Sequence, residues 1–241
     1  MNRDSTLPPL PAKVDLVVVG AGAVGLAHAV EGHARGHSVL VLDASARPTG
    51  ATARRGGHVA VTTQDTVALS CALASRERWL KLGRDAGFGV RECGAVVVAR
   101  HDDELAVLDD LVASRAGDAV LLDSRSVADR TSVPDALGGA FLPLDLRVDP
   151  AAALTAVADW LDTHPQAHVA WGTAAQTFDA GSGCTLVRTS RGRSSPSGSS
   201  SPSGTTSVSS SGRSAPAWTG CGASSCGSRR RCRTTPVREP A

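Results

Sequence analysis

The residues best able to do chemistry in this sequence are three closely spaced glycines and an acidic residue downstream of them. Gly20, Gly22 and Gly25 have the spacing G-x-G-x-x-G, within the segment GAGAVG. Gly20 would permit a tight turn, Gly22 would let the backbone approach a pyrophosphate, and Gly25 would allow close helix–strand packing. Asp43 would accept hydrogen bonds from ribose hydroxyls and would repel a 2′-phosphate. Together these residues predict a dinucleotide site that disfavours NADP.

The elements that must position these residues are two buried strands and the helix between them. Residues 14–19 form a Val-rich apolar run, which is typical of a strand buried on both faces. A helix is predicted over residues 23–35, with Gly36 as its C-cap. A second apolar run at 38–42 then ends on Asp43, and this order predicts a right-handed crossover in a parallel sheet. The alternative, a glycine-rich turn that binds nothing, fits this strand–helix–strand context less well.

Further patterns along the chain predict three more helices and several strands. The helices are expected at 66–86, at 102–115, and from the N-cap Asp149 through Pro150 to Leu161. Strands are expected at 94–100, 138–146, 168–178 and 184–188. The apolar residues available for a buried face of the helix at 66–86 are Val67, Leu69, Leu73, Trp79 and Leu82.

Composition narrows the class of protein. The chain has 241 residues, of which 41% are hydrophobic, so it can form a packed core. Its net charge of +2 hides an uneven distribution, because eight Arg and one Glu lie from Thr189 onward and the rest is mildly acidic. We therefore expect no nucleic-acid surface. The absence of a secretory signal, of a membrane-spanning run and of a disulfide pattern among the six Cys predicts a soluble cytoplasmic protein.

From residue 48 onward the chain resembles the D-amino-acid-oxidase-like family of FAD-dependent oxidoreductases, which includes glycine and sarcosine oxidases. The segment GATARRGGH at 50–58 is similar to a Gly-rich segment that lies against the flavin in that family. The segments GGAFLP at 138–143 and VDP at 148–150 resemble its return from the substrate domain to the FAD domain. The segment VAWGTAA at 169–175 resembles the strands that approach the adenine end. The resemblance covers residues 14 to about 188.

The resemblance implies an α/β fold: a Rossmann-like FAD/NAD(P)-binding domain with part of an inserted α+β substrate domain and a disordered C-terminal tail. The FAD-binding domain would be discontinuous and incomplete, comprising 13–86 and 147–188. The partial substrate domain would be 87–146. The tail would be 189–241.

The resemblance also implies FAD as the cofactor and oxidation of a small-molecule amine or amino acid by hydride transfer to the flavin. His58 could face the flavin or could be an ordinary surface or packed histidine. No catalytic residue and no metal site are predicted. The predicted cofactor-binding residues are Gly20, Gly22, Ala23, Val24, Gly25, Asp43, Ala44, Ala51, Thr52, Gly56, Gly57, His58 and Ala175.

The Ser- and Arg-rich segment from 189 to 241 has no Leu, Ile or Phe, so we expect it to be disordered. Family members continue there with a buried strand and more substrate domain, so the resemblance implies a C-terminally truncated chain. A frameshift would explain such a segment, and a genuine linker is the alternative. Two other functions stay open: an inactive remnant that binds nucleotide weakly, and an NAD-dependent dehydrogenase. The substrate and the oligomeric state are not predicted.

Overall fold

A computed structural model describes residues 8–115, 117–181, 184–191 and 205–209. The strands are β1 Lys13–Val14, β2 Leu16–Val19, β3 Val39–Leu42, β4 His58–Val59, β5 Val90–Arg91, β6 Ala95–Ala99, β7 Val120–Asp123, β8 Gly138–Leu142, β9 Leu146–Val148, β10 Ala167–Ala170, β11 Ala175–Gly181, β12 Cys184–Thr189 and β13 Thr205–Ser209. The helices are α1 Ala23–Ala34, α2 Thr66–Ala86, α3 Asp102–Ser114, α4 Ser124–Arg130 and α5 Pro150–Asp162.

The described residues form two units. Unit 1 runs to Arg55 and resumes at Pro150, and unit 2 is Gly56–Asp149. The division therefore falls ahead of α2 and not after it, because the end of α2 packs closely on β5: a Cβ on Gly83 would lie 2.6 Å from Val90. The assignment of the two units to a cofactor domain and a substrate domain stays a prediction.

The predicted parallel crossover is present in unit 1. β3 lies between β2 and β10 and pairs with both in parallel, so that Val39 is opposite Leu16 on one side and Ala167 on the other. All four residues of β3 are buried, as expected for the middle strand of such a sheet. The crossover helix α1 turns a buried face toward the interior, and α5 does the same. The buried residues of these helices are Leu26, Ala29 and Gly32, and Ala153, Leu154, Val157, Ala158 and Leu161.

The single strand predicted at 14–19 is divided at Asp15. The N–H of Asp15 donates to the Ser38 carbonyl, while Ser38 donates its N–H and its hydroxyl to Asp15 Oδ2 at 2.9 and 2.7 Å. The bonds from the Ser38 hydroxyl and N–H hold the pKa of Asp15 below its usual value. This exchange of hydrogen bonds replaces regular pairing at Asp15 and pins the start of β2 beside β3.

A second sheet of unit 1 has the order β1-β13-β12-β11. The strand predicted at 168–178 is divided into β10 and β11, because Gly172 has a φ of +64° and turns the chain between them. β13 differs from the expected disorder of 189–241: it pairs in parallel with β1 and antiparallel with β12. Its Thr205, Thr206 and Val208 are β-branched and suit a strand. Apart from β13, the predicted tail beyond Arg191 lies outside the described residues.

Unit 2 contains two three-stranded sheets, β4-β9-β5 and β6-β8-β7, in which neighbouring strands pair antiparallel. The strand predicted at 138–146 is divided into β8 and β9 by a turn. β7 and α4 were not predicted, since the segments that form them are short and without clear periodicity. Apolar residues of the second sheet and of α3 form the core: Ala95, Ala99, Leu108, Ala119, Ala140 and Leu142.

The helix α2 has the predicted bounds, but the prediction of its buried face was wrong at two residues. Val67 is 76% exposed and Leu73 is 38% exposed, and Gly83 is the one buried residue of this helix in the described chain. The physical reason is that α2 packs on β5 near its end, where the Trp79 ring also meets Phe88 edge-on at 6.1 Å. Apolar spacing alone does not show which part of a helix has a partner.

The fold predicts a large loss of stability for one glycine substitution in α1 and almost no change for another. A Cβ on Gly25 would lie 1.8 Å from the Gly20 carbonyl oxygen, which is fixed backbone. We expect Gly25→Ala to lower the free energy of unfolding by more than about 3 kcal/mol. A Cβ on Gly32 would instead meet the mobile end of the Leu16 side chain at 2.7 Å.

The matched control Gly32→Ala should therefore change stability by less than about 1 kcal/mol, because alanine also favours the helix. Urea unfolding followed by circular dichroism measures both variants. Equal destabilisation by the two substitutions would contradict the close approach of α1 to the Gly20 turn.

Candidate cofactor-binding site

The turn between β2 and α1 is built by Gly20. Its φ of +100° lies in the region that side chains disfavour, and its N–H donates to the Leu42 carbonyl at 2.8 Å. The chain therefore leaves β2 tied to the end of β3 and enters α1 at once. No acidic side chain lies in the first turn of α1, and its N-cap residue Gly22 makes no side-chain hydrogen bond. The first backbone N–H groups of a helix lack intrahelical partners, so this end suits an anion.

The three glycines are required for different reasons. A Cβ on Gly25 would collide with the Gly20 carbonyl at 1.8 Å, so the protein itself demands glycine there. Gly22 has a φ of −78°, and a Cβ on it would meet Thr52 Oγ1 at an ordinary 3.6 Å. No contact within the protein therefore requires a glycine at position 22. Open space above a glycine at a helix N-terminus fits the close approach of a pyrophosphate.

Asp43 holds this turn, and its predicted role at the ribose stays a prediction. Its Oδ2 accepts the N–H of Ala21 and its Oδ1 accepts the N–H of Ser45, each at 2.8 Å. The contacts to Ala21 and Ser45 were not predicted, because backbone donors leave no mark in a sequence. A carboxylate oxygen can accept more than one hydrogen bond, so both roles are compatible.

Thr52 brings the Gly-rich segment of unit 1 to the same place. Its Oγ1 accepts the N–H of Ala23 at 3.4 Å. A cavity of about 480 Å³ and a smaller one of about 90 Å³ both reach Thr52 and Gly22. The predicted residues around the larger cavity are Gly20, Gly22, Ala23, Val24, Gly25 and Thr52. Those around the smaller cavity are Gly22, Asp43, Ala51 and Thr52.

Two predicted residues of unit 1 lie away from these cavities. Ala44 is exposed beside Asp43, and Ala175 begins β11, where it packs against the buried cluster that contains Leu42. The loop before β11 is nevertheless tied to the end of β3, since the N–H of Thr173 donates to the Asp43 carbonyl at 2.7 Å. The residues Pro48 and Thr49 line the smaller cavity and were not predicted.

Unit 2 begins with three of the predicted residues, Gly56, Gly57 and His58. Gly57 is buried with a φ of +73°, and its carbonyl accepts the N–H of Val148 at 2.9 Å. Gly56 is exposed, and a Cβ on it would meet nothing within 4 Å. His58 opens β4 and stands opposite Arg147 of β9. The glycines therefore shape the entry of the chain into β4.

Asp145 was not predicted, yet it organises the residues around His58. Its side chain is fully buried, and its Oδ2 lies 2.6 Å from His58 Nε2. Its Oδ1 accepts the N–H groups of Val61 and Thr62, each at 3.0 Å. Burial acts to raise the pKa of Asp145, but the hydrogen bonds from His58, Thr62 and Val61 outweigh it and hold the pKa below its usual value. The one signal in the sequence was an Asp inside the apolar run LPLDL.

The protein family of this chain follows from a match to a known family. Residues 15–200 match the model of the family described as DAO, FAD dependent oxidoreductase. The chain belongs to this family. The resemblance inferred from the glycine segments is thereby confirmed, as is the α/β fold class with an FAD-binding domain.

Solved structures agree with the family assignment. The protein is similar to glycine oxidase from Geobacillus kaustophilus, with a TM-score of 0.68 and 19% identity over 82% of this chain and 54% of that one. It is similar to L-proline dehydrogenase from P. horikoshii, with a TM-score of 0.67 and 23% identity over 75% and 50% of the two chains. It is also similar to L-α-glycerophosphate oxidase from Mycoplasma pneumoniae with FAD bound. The TM-score is 0.63 and the identity 16%, over 77% of this chain and 51% of that one.

This family member spans about half the length of those solved structures. No curated protein sequence matches it. No helix in the described part of the chain is long and apolar enough to cross a membrane.

The cofactor of this family is FAD, and the match favours it over the NAD alternative. The residues of unit 1 fit FAD for two reasons. No contact within the protein requires a glycine at position 22, and the first turn of α1 carries no acidic side chain that would repel a pyrophosphate. Gly22 and the first amides of α1 would hold the pyrophosphate. Asp43 would bind the ribose, with Thr52 beside the same cavity. These residue roles stay predictions.

The depressed pKa of Asp145 makes its contribution to stability depend on pH. We expect Asp145→Ala to lower the free energy of unfolding by about 3 kcal/mol or more at pH 7, because two buried N–H groups lose their acceptor. Because the folded pKa lies below the usual 3.8, the difference from wild type should be complete above pH 3.8. It should then shrink as the pH falls through the folded pKa. Urea titrations between pH 7 and pH 2 measure it.

The matched control is Asp129→Ala, since Asp129 is exposed on α4. This variant should stay within about 0.5 kcal/mol of wild type throughout the range. A constant deficit for Asp145→Ala down to pH 2 would contradict an ionised, hydrogen-bonded Asp145.

Proposed function

We propose that this protein binds FAD through the glycine turn of unit 1 and oxidises an amine or amino acid by hydride transfer to the flavin. The observation that carries the proposal is the glycine at position 22 at the start of α1, where a Cβ would meet only Thr52 Oγ1 at 3.6 Å, in a chain of an FAD-dependent family. The names glycine oxidase and L-proline dehydrogenase support an amino compound as the substrate class. A cytoplasmic location, predicted from composition, is part of the same proposal.

In this proposal the residues of the chain bind and orient. Asp43 fixes the turn through Ala21 while it offers free lone pairs to ribose hydroxyls. The N–H groups of the first turn of α1 hold the pyrophosphate in place. Bound FAD supplies the redox chemistry by accepting the hydride. None of the described residues is assigned a catalytic role.

A second candidate is a chain that binds FAD without turnover. It is considered because the glycine turn is assigned a role in cofactor binding, whereas none of the described residues is assigned a catalytic role. The two candidates differ in the response of bound flavin to substrate.

Gly22→Ala should separate FAD binding from folding. The φ of −78° suits alanine and the protein leaves room for its Cβ, so the urea midpoint should stay close to that of wild type. The methyl group would occupy the space proposed for the pyrophosphate, and we expect FAD affinity to fall at least about tenfold. Fluorescence titration with FAD measures the dissociation constant.

Gly89→Ala is the matched control, because a Cβ on Gly89 meets nothing within 4 Å and this residue belongs to unit 2 and not to the glycine turn. It should change neither stability nor affinity. Equal FAD affinity for wild type and Gly22→Ala would contradict the proposed binding mode.

The substrate class is tested by anaerobic mixing of the FAD-loaded chain with glycine, proline and other amino acids. We expect at least one amino compound to bleach the visible absorption of the flavin. Glycerol phosphate serves as the non-amine control and should leave the absorption unchanged. Bleaching by dithionite with no response to any amino compound would favour the second candidate.

A further inference from the structure

The smaller cavity at the glycine turn contains a negative charge and no cation of its own. Among the described residues that line it, Asp43 is the one charged side chain. A pyrophosphate at the start of α1 would bring further negative charge to the same cavity. The N-terminus of a helix offsets only about half an elementary charge, so a nearby cation would strengthen the binding of such a ligand.

Arg54 is a cation at the edge of this cavity. Residues 50–53 all line the cavity, and Arg54 Nε donates to the Gly50 carbonyl at 3.4 Å. This hydrogen bond turns the side chain back over its own loop, so the guanidinium group lies beside residues that line the cavity. The same loop contacts the start of α1, because Thr52 Oγ1 accepts the N–H of Ala23. Arg54 therefore belongs to unit 1, as does the glycine turn.

The charge of Arg54 is not neutralised by a neighbouring carboxylate. Arg54 is exposed and forms no ion pair in the described part of the chain, and no Asp or Glu occurs between Asp43 and Asp65. Both carboxylate oxygens of Asp43 accept backbone N–H groups, from Ala21 and Ser45. The planar fork of a guanidinium group matches the oxygens of a phosphate and can bind two of them at once.

Two other arginines lie in the same stretch of chain. Arg47 precedes Pro48, which lines the smaller cavity, and Arg55 directly follows Arg54. Neither of these two side chains donates a hydrogen bond within the described residues. Arg54 is therefore the one of the three whose side chain is held at the cavity by a hydrogen bond.

We propose that Arg54 binds the pyrophosphate of FAD and offsets the repulsion that Asp43 exerts on it. This inference rests on the proposed function. It adds to that site a charged residue that the sequence analysis did not include among the cofactor-binding residues.

Arg54→Gln tests the contact by removing the charge. Because the side chain is exposed, the urea midpoint should stay close to that of wild type. We expect the dissociation constant for FAD to rise about tenfold, as for the loss of a charge-assisted hydrogen bond at a partly solvated site. Arg54→Lys keeps the charge without the fork and should weaken binding less than Arg54→Gln. Fluorescence titration of the full chain with FAD measures all three proteins.

Arg35→Gln is the matched control. It removes the same charge from an exposed side chain of unit 1, where Arg35 pairs with Glu31. Arg35 follows the last residue of the 12-residue helix α1. A helix of this length places it about 18 Å from the glycine turn. This separation exceeds the screening length of about 10 Å at roughly 0.1 M salt, so FAD affinity should not change. Equal weakening by Arg35→Gln and Arg54→Gln would show an effect of net charge and would overturn the proposal.

Salt dependence separates the loss of charge from a change of shape. Raising the salt concentration from about 0.05 M to about 0.5 M should weaken FAD binding more in wild type than in Arg54→Gln. Equal salt dependence of the two proteins would overturn the charge contact.

The titrations also distinguish this inference from the proposed function. Wild type that binds no FAD would refute both. Wild type and Arg54→Gln that bind FAD with equal affinity would refute this inference alone. Weaker binding in Arg47→Gln or Arg55→Gln, with none in Arg54→Gln, would likewise overturn the assignment to Arg54.

Discussion

The close approach of two backbones at the turn between β2 and α1 is the constraint on which unit 1 depends. Gly25 lies so near the Gly20 carbonyl that no side chain fits between them, and Gly20 adopts a positive φ to make this approach. Asp43 then joins the turn to the end of β3 through Ala21. The geometry places a bare helix N-terminus beside the carboxyl ends of two parallel strands, which is where open α/β sheets bind their ligands.

Much of this arrangement could be predicted from the sequence, because each part has a local signature. Each of these signatures lies within one short segment. They are a Val run typical of a strand buried on both faces, glycines that a turn requires, and an acidic residue at the end of the next strand. Asp145 could not be predicted in the same way, since its partners His58, Val61 and Thr62 are more than eighty positions away along the chain. The break of the first strand at Asp15 likewise depends on a distant partner, Ser38, which directly precedes β3.

The two units differ in what they can support by themselves. Unit 1 contains the turn, Asp43 and both cavities that reach Gly22, so the residues proposed to hold the pyrophosphate and ribose are all within it. Unit 2 contains His58 and Asp145, which are joined by a contact of 2.6 Å between His58 Nε2 and Asp145 Oδ2. The chain spans about half the length of the similar solved structures, and its substrate oxidation is a proposal that is tested separately from FAD binding.

The central claim is that the glycine turn binds FAD in the chain as it stands. The most direct measurement is the visible absorption spectrum of the purified full chain, recorded before and after denaturation, with the released material identified by chromatography. We expect a flavin spectrum and release of intact FAD. A colourless protein that takes up no FAD when the cofactor is added in excess would contradict it.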